Sequence, residues 1–225
     1  MDTTKFYDFF QPDSCRERLH IIGCGAVGST VAENLVRIGM TKITLYDFDT
    51  VEKHNVSNQM FRGIDIGKPK VQALAEYLQE INPDIIDDLE IEPEGYVGQK
   101  LSGYVFLCVD NIDLRREIAT KNKGNTYIKA VFDFRIRLTD AQHYAAKWND
   151  PKMVENFLAT MNFTHEEAAK ETPVSACNVT LSVAPTVRDV CKVGVVNFMN
   201  FVKSGGEQLK KMVIVNPFEF ACMAF

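Results

Sequence analysis

The sequence predicts an α/β fold: a mostly parallel, doubly wound sheet with helices on both faces and a C-terminal antiparallel extension. Three observations carry this. Short apolar runs at residues 19–22, 42–46 and 104–109 read as strands covered on both faces. Segments of helical period lie between them, with Val27, Val31, Leu35 and Ile38 on one apolar face and Val71, Leu74, Ala75 and Leu78 on the next. The runs at 211–215 and 218–225 read as closing strands.

The first strand runs straight into Gly23, Gly25 and Gly28, a G-x-G-x-x-G spacing. The first glycine permits a tight turn, the second lets backbone approach a phosphate, and the third lets the helix lie close on the strand. The free N–H groups of Gly25, Ala26, Val27 and Gly28, with the positive end of the helix dipole, make an anion site. Gly39 stops that helix, and the next strand ends in Asp47-Phe48-Asp49, where an acid can accept from a ribose hydroxyl. The unit is Rossmann-like. The stretch does not say whether the nucleotide is a dinucleotide or ATP.

Residues 50–61 (TVEKHNVSNQMF) carry few strand or helix signals and follow the acids at the carboxyl end of a strand. Asn55, Asn58 and Gln59 are neutral hydrogen-bonders suited to phosphate and sugar oxygens; the rival reading is a surface loop whose amides satisfy its own backbone. Pro69 suits a first helical position, and Lys70 falls in the first turn, where a cation is disfavoured unless an anion is present. A short strand is expected within 85–91. The strand at 104–109 ends in Asp110-Asn111, so Asp110 is a candidate Mg²⁺ or ribose contact or else a helix cap. A helix over 113–121 carries Arg115 and Arg116. Residues 126–131 read as a strand, and 131–138 (VFDFRIRL) alternate apolar and charged, so one face is wet or faces a site. Helices start at Asp150-Pro151 and at the Thr164-x-x-Glu167 capping box, and the last long helix spans 185–201. Cys177 precedes that helix, where a thiolate is favoured, although an unreactive thiol fits equally. The arm at 1–18 is aromatic and holds Arg16 and Arg18; either it packs on the domain or an arginine reaches a nucleotide, in this subunit or a partner.

With 225 residues, 46% hydrophobic and 24% charged, the chain suits one folded unit with a sizeable core. We divide 1–225 into an arm (1–18), a nucleotide-binding core (19–140), a crossover segment (141–184) and a C-terminal helix with strands (185–225). A net charge of −5 argues against general affinity for nucleic acid. The six cysteines form no C-x-x-C pair, so no zinc is expected. Their placement in apolar runs, with neither a signal peptide nor a run long enough for a membrane span, points to a cytoplasmic protein without membrane contact.

Taken together, the glycine turn, DFDTVEKHN, NQ, DIGKPK, INP, VDNIDLRR and the segment from Cys177 to Pro185 resemble the ThiF/MoeB/HesA family, adenylating enzymes related to ubiquitin-activating enzymes. The resemblance covers residues 19–203 and is densest over 21–83. It implies Mg²⁺- and ATP-dependent adenylation of the C-terminal carboxylate of a small ubiquitin-like or sulfur-carrier protein ending in glycine, or of a peptide, by a homodimer. It also implies roles: Asp49 for ribose or metal, Asn55 and Gln59 as the family's Asn and Gln, Lys70 as its phosphate-binding lysine, Asp110 as its metal aspartate, Arg115 as a structural arginine, and Cys177 where many members place a sulfur- or thioester-forming cysteine. The family arginine before Gln59 is Asn58 here, with Arg62 the candidate replacement. Rival readings are an NAD-dependent oxidoreductase, which the glycine turn and Asp47 allow, and a non-catalytic member that binds a partner.

Overall fold

The computed structural model describes residues 1–171, 173–174 and 181–225. Along the chain run β1 (Leu19–Ile22), α1 (Ala26–Arg37), β2 (Ile43–Tyr46), α2 (Lys70–Ile81), β3 (Glu90–Glu92), β4 (Gly103–Leu107), α3 (Ile112–Lys121), β5 (Ile128–Ile136), β6 (Ala141–Lys147), α4 (Pro151–Ala159), α5 (His165–Glu171), α6 (Ala184–Lys203), β7 (Met212–Asn216) and β8 (Ala221–Ala224). The strands form one sheet in the order β3-β2-β1-β4-β5-β6-β7-β8. The first five are parallel and the last three antiparallel. Strand order reverses between β1 and β4, and in open α/β sheets ligands bind in the crevice at the carboxyl ends beside such a switch point.

Strand alternation divides the core. Leu19, Ile21, Ile43, Leu45 and Phe106 pack with the apolar stripes of α1, α2 and α6. Ile22, Val105, Leu107 and Val131 pack with α3 and α4. The sheet is therefore covered on both faces, which is why its central strands carry no polar alternation. Every α6 position expected inside (Val187, Val190, Cys191, Gly194, Val195, Phe198, Phe201) is buried. A Cβ at Gly194 would sit 2.1 Å from Phe134, so only glycine lets α6 lie this close to the sheet. Among the described residues no helix is long and apolar enough to cross a membrane.

Several expectations need correction. The expected strand at 126–131 and the alternating run at 131–138 join in one strand, β5, which ends at Ile136 and forms an antiparallel hairpin with β6. The charged side of the run is wet only at its ends: Lys129 and Arg137 are exposed, whereas Asp133 between them is fully buried, paired with Arg115 and Arg135. The strand within 85–91 shrinks to Glu90–Glu92, because Pro83–Ile85 form a 3₁₀ turn capped by Asn82. Pro69 is the N-cap of α2 and Lys70 its first residue. Arg18 does not reach the carboxyl ends of the strands. It sits before β1 at the opposite end of the sheet, bonded to Ile43 O, Thr44 Oγ1, Asp88 O and Glu90.

Candidate nucleotide site

The turn after β1 is built by sterics. Gly23 has φ of +94°, and a Cβ there would lie 2.8 Å from Val109 N. A Cβ on Gly28 would lie 1.8 Å from Gly23 O, so α1 can leave β1 at this angle only with glycine at that position. Gly25 differs: a Cβ there would meet nothing within 4 Å. It is the N-cap of α1, no side chain caps it, and the first helical N–H to be used within the turn is that of Ser29, to Gly25 O. The N–H groups of Gly25, Ala26, Val27 and Gly28 thus lie at an uncapped helix start, beside an open space that a phosphate would fill.

The second strand brings the acids to the same end. Asp47 Oδ2 accepts from Cys24 N at 2.6 Å, and Oδ1 accepts from Asp49 N at 2.9 Å. Burial pushes the Asp47 carboxyl up from its ordinary range, and the two backbone bonds pull against that. Asp47 therefore locks the acid loop to the glycine turn. Asp49 is half exposed, and its Oδ2 accepts from Lys70 Nζ at 2.8 Å, with Lys70 itself buried. This carboxylate is the anion that makes a lysine tolerable at the first position of α2. Lys70 sits close enough for its charge to act on both Cys24 and Asp47. Lys70 N also donates to Asp49 O at 2.9 Å, so side chain and backbone together fix the pair.

Asp110 follows Val109, whose N backs directly onto Gly23. It is exposed and is not the helix cap: Asn111 fills that place, accepting from Asp113 N and Leu114 N. The structure thus brings Gly23–Gly28, Asp47, Asp49, Lys70 and Asp110 to the carboxyl ends of β1, β2 and β4, around the switch point.

The polar loop is more ordered than its composition promises. Residues Lys53–Ser57 form a 3₁₀ turn with a reciprocal box, Asn55 Oδ1 accepting from Glu52 N at 2.8 Å. That acceptor of the buried Asn55 serves its own backbone. Ser29 Oγ accepts from Met60 N at 3.1 Å and anchors the end of the loop to α1. Gln59 Oε1 is buried and has no hydrogen-bond partner among the described residues. Asn58 Nδ2 donates to Ser182 Oγ at 2.5 Å, at the approach to α6. Arg62 is held by Asp65 and, through both carboxylate oxygens at 2.7 Å, by Glu80. His54 and His165 are exposed. Cys177 lies outside the described residues. The described cysteines 15, 24, 108, 191 and 222 are free thiols, and burial raises the thiols of Cys24, Cys108 and Cys191.

Sequence reasoning missed two connections: Ser182 against Asn58, and the buried triad around Asp133. The triad had a signal. A carboxylate in a strand beside the fully apolar β4 must find a buried partner.

Fold and site together define a Rossmann-like α/β protein whose glycine turn, acids and lysine gather at the carboxyl ends of the parallel strands. The ThiF family model matches residues 10–223, and the chain belongs to that family. Curated relatives include ubiquitin-like modifier-activating enzyme 5 of Dictyostelium discoideum, 39% identical over 114 residues, or 44% of this chain and 30% of that protein. The Arabidopsis thaliana enzyme of the same name is 46% identical over 66 residues, 29% of this chain and 15% of that one. Less than a third of each of these relatives is matched. Among solved structures, E. coli MccB with ATP superposes with a TM-score of 0.74 at 16% identity, covering 95% of this chain and 65% of that one. PaaA superposes at 0.69 and 17%, covering 100% and 68%. At these identities the structures speak to the fold.

Proposed function

We propose that this chain adenylates a C-terminal carboxylate: an ATP-dependent adenylyltransferase acting on a small ubiquitin-like or sulfur-carrier protein, or on a peptide. The observation that carries the reading is the convergence of an open, uncapped glycine turn, the Lys70–Asp49 pair and the exposed Asp110 at one switch point. The named curated relatives activate ubiquitin-like modifiers, and a solved neighbour was crystallised with ATP, which supports the choice of ATP over NAD.

In this reading the backbone amides of Gly25 to Gly28 hold phosphate oxygens, and Asp49, released by Lys70, takes a ribose hydroxyl or the metal while Asp47 keeps the acid loop on the glycine turn. Lys70, swinging from Asp49, neutralises charge on the transferring phosphate. The incoming carboxylate is already ionised at neutral pH and needs no general base. It attacks the α-phosphorus, the bond to the β-phosphate breaks, and pyrophosphate leaves. Catalysis is then positioning and charge neutralisation. One exposed carboxylate, Asp110, beside a triphosphate is a donor set suited to Mg²⁺, which supplies further neutralisation of phosphate charge when bound. Among the described residues no group of three His, Cys, Asp or Glu could hold a metal by protein ligands alone. Cys177 is proposed as acceptor of the activated acyl group. The acting unit is proposed as a homodimer.

Pyrophosphate exchange into ATP, dependent on Mg²⁺ and on a carrier protein or peptide, is the expected result, and Lys70→Ala and Asp110→Ala should each abolish it. No exchange with any carrier, despite a folded chain, would count against the reading. A reductant-sensitive carrier adduct lost in Cys177→Ala would assign the acceptor; adenylation without such an adduct would place transfer elsewhere.

A second reading has one observation in its favour. Asn58 stands where family members carry an arginine, and it is spent on Ser182, while Arg62 is spent on Asp65 and Glu80. A member that binds ATP and a partner without turnover fits this, and calorimetric ATP binding with no exchange would favour it.

A further inference from the structure

The buried charges of β5 are arranged around the loop that carries Asp110. In the β4–β5 ladder Leu107 pairs with Asp133, so Asp133 stands level with the start of that loop. Asp133 is fully buried and both its carboxylate oxygens are taken: Oδ1 accepts from Arg115 Nη1 at 2.6 Å and Oδ2 from Arg135 Nε at 2.7 Å. Arg115 turns its other donors on the loop. Its Nε donates to Val109 O at 2.6 Å, Nη2 donates to the same oxygen, and Nη1 also reaches Phe134 O at 2.5 Å. The carbonyl one residue before Asp110 is thus gripped by a planar fork whose direction Asp133 sets, a geometry that lysine cannot reproduce.

Arg135 carries the connection outward. Its Nη1 donates to Thr160 O at 2.7 Å and Nη2 to Thr160 Oγ1 at 2.8 Å, while its guanidinium lies 4.3 Å from the Tyr144 ring centre. The same turn is stitched to α3: Arg116 Nη1 donates to Met161 O and Phe163 O, and Asp113 Oδ2 accepts from His165 N. α3 begins two residues after Asp110. Two guanidiniums on one buried carboxylate are a poor means of stabilising a core, since apolar residues of the same volume do as well or better. What the arrangement does supply is direction, because each donor has one acceptor and one geometry.

We propose that Asp133 is a positioning residue: it fixes the Asp110 loop through Arg115 and ties that loop, through Arg135, to the turn after α4. The functional importance of the loop rests on the adenylation reading above; the mechanical claim does not.

The test compares the full wild-type chain with Asp133→Asn and Arg135→Gln by hydrogen exchange, and by calorimetry of ATP with Mg²⁺ and with EDTA. In Asp133→Asn the amides of 109–112 should exchange faster while β1 and β4 keep their protection. The half-saturating Mg²⁺ should rise about tenfold, the usual order for losing a residue that orients a ligand. ATP affinity in EDTA should stay the same. Arg135→Gln should loosen 160–165 strongly and 109–112 in a smaller degree. Unchanged exchange at 109–112, or a uniform rise across β4 and β5 without a local excess, would overturn the proposal. Should Asp133→Asn not fold, Arg135→Gln decides: loosening confined to 160–165 refutes the tie. If the wild type binds no ATP, the nucleotide reading falls and the exchange comparison still judges the positioning claim.

Discussion

The glycine-turn end of the sheet and the β5–β6 side solve opposite problems with opposite means. At Gly25–Gly28 the polar groups are backbone amides left open at a helix start, and the ion pair there is lopsided, with Lys70 buried and Asp49 half exposed. Around Asp133 every polar atom is spoken for. Arg115, Arg135 and their carbonyl acceptors close one network, and His143, Asn197 and the backbone of Lys210 close another. A site must keep unsatisfied groups for a ligand; the frame behind it cannot leave any buried group unsatisfied.

The sharpest way to break this contrast is Asp133→Ala, which strands two guanidiniums in the core. A loss of about 3–5 kcal/mol is expected by denaturant unfolding, as for other buried pairs deprived of one partner. Within the turn, two single-methyl changes should separate structure from function. Gly28→Ala drives a methyl into Gly23 O and should cost about 3 kcal/mol, the upper end for an overpacked site. Gly25→Ala enters open space and should leave the unfolding midpoint within about 1 kcal/mol of wild type, with ATP affinity reduced in calorimetry because the methyl occupies phosphate space.

Acid tests the closed networks. Burial lowers His143, in the second of these networks, and His20, buried in β1 against Tyr46 Oη at 2.8 Å, from 6.5 to about 4. Their folded values lie below the unfolded one, so the unfolded chain binds more protons and stability is lost as pH falls from 6.5 towards 4. At pH 5 the expected loss relative to pH 7 is about 2 kcal/mol per histidine, read from urea midpoints. The smallest stability effect belongs to Lys70→Ala. Asp49 is 52% exposed and water replaces its partner, so the change should stay under about 1 kcal/mol. The same variant should lose ATP binding, and retained binding would sever Lys70 from the site.

What could be read along the chain was local. The apolar runs, the helical stripes and the glycine spacing each depend on a few neighbouring residues, and they returned β1, α1, β2, α2, β4 and α6 to within two residues at each end. The same local logic marks Lys70 as a lysine that needs an anion, and the fold supplies Asp49. Partnership itself was not legible. That β5 turns back into β6, that Arg18 works at the far end of the sheet, and that Asn55 spends its acceptor on Glu52 all follow from which surfaces meet.

The alternation of 131–138 shows the limit most plainly. Charge at every second position says that one face differs from the other, not whether that face meets water, a ligand or Arg115. Sequence determined the turn, because φ at Gly23 and the absence of a Cβ at Gly28 are properties of single residues. Only tertiary structure decided the fate of Asp133, because the free energy of a buried charge depends on the partners that packing brings to it.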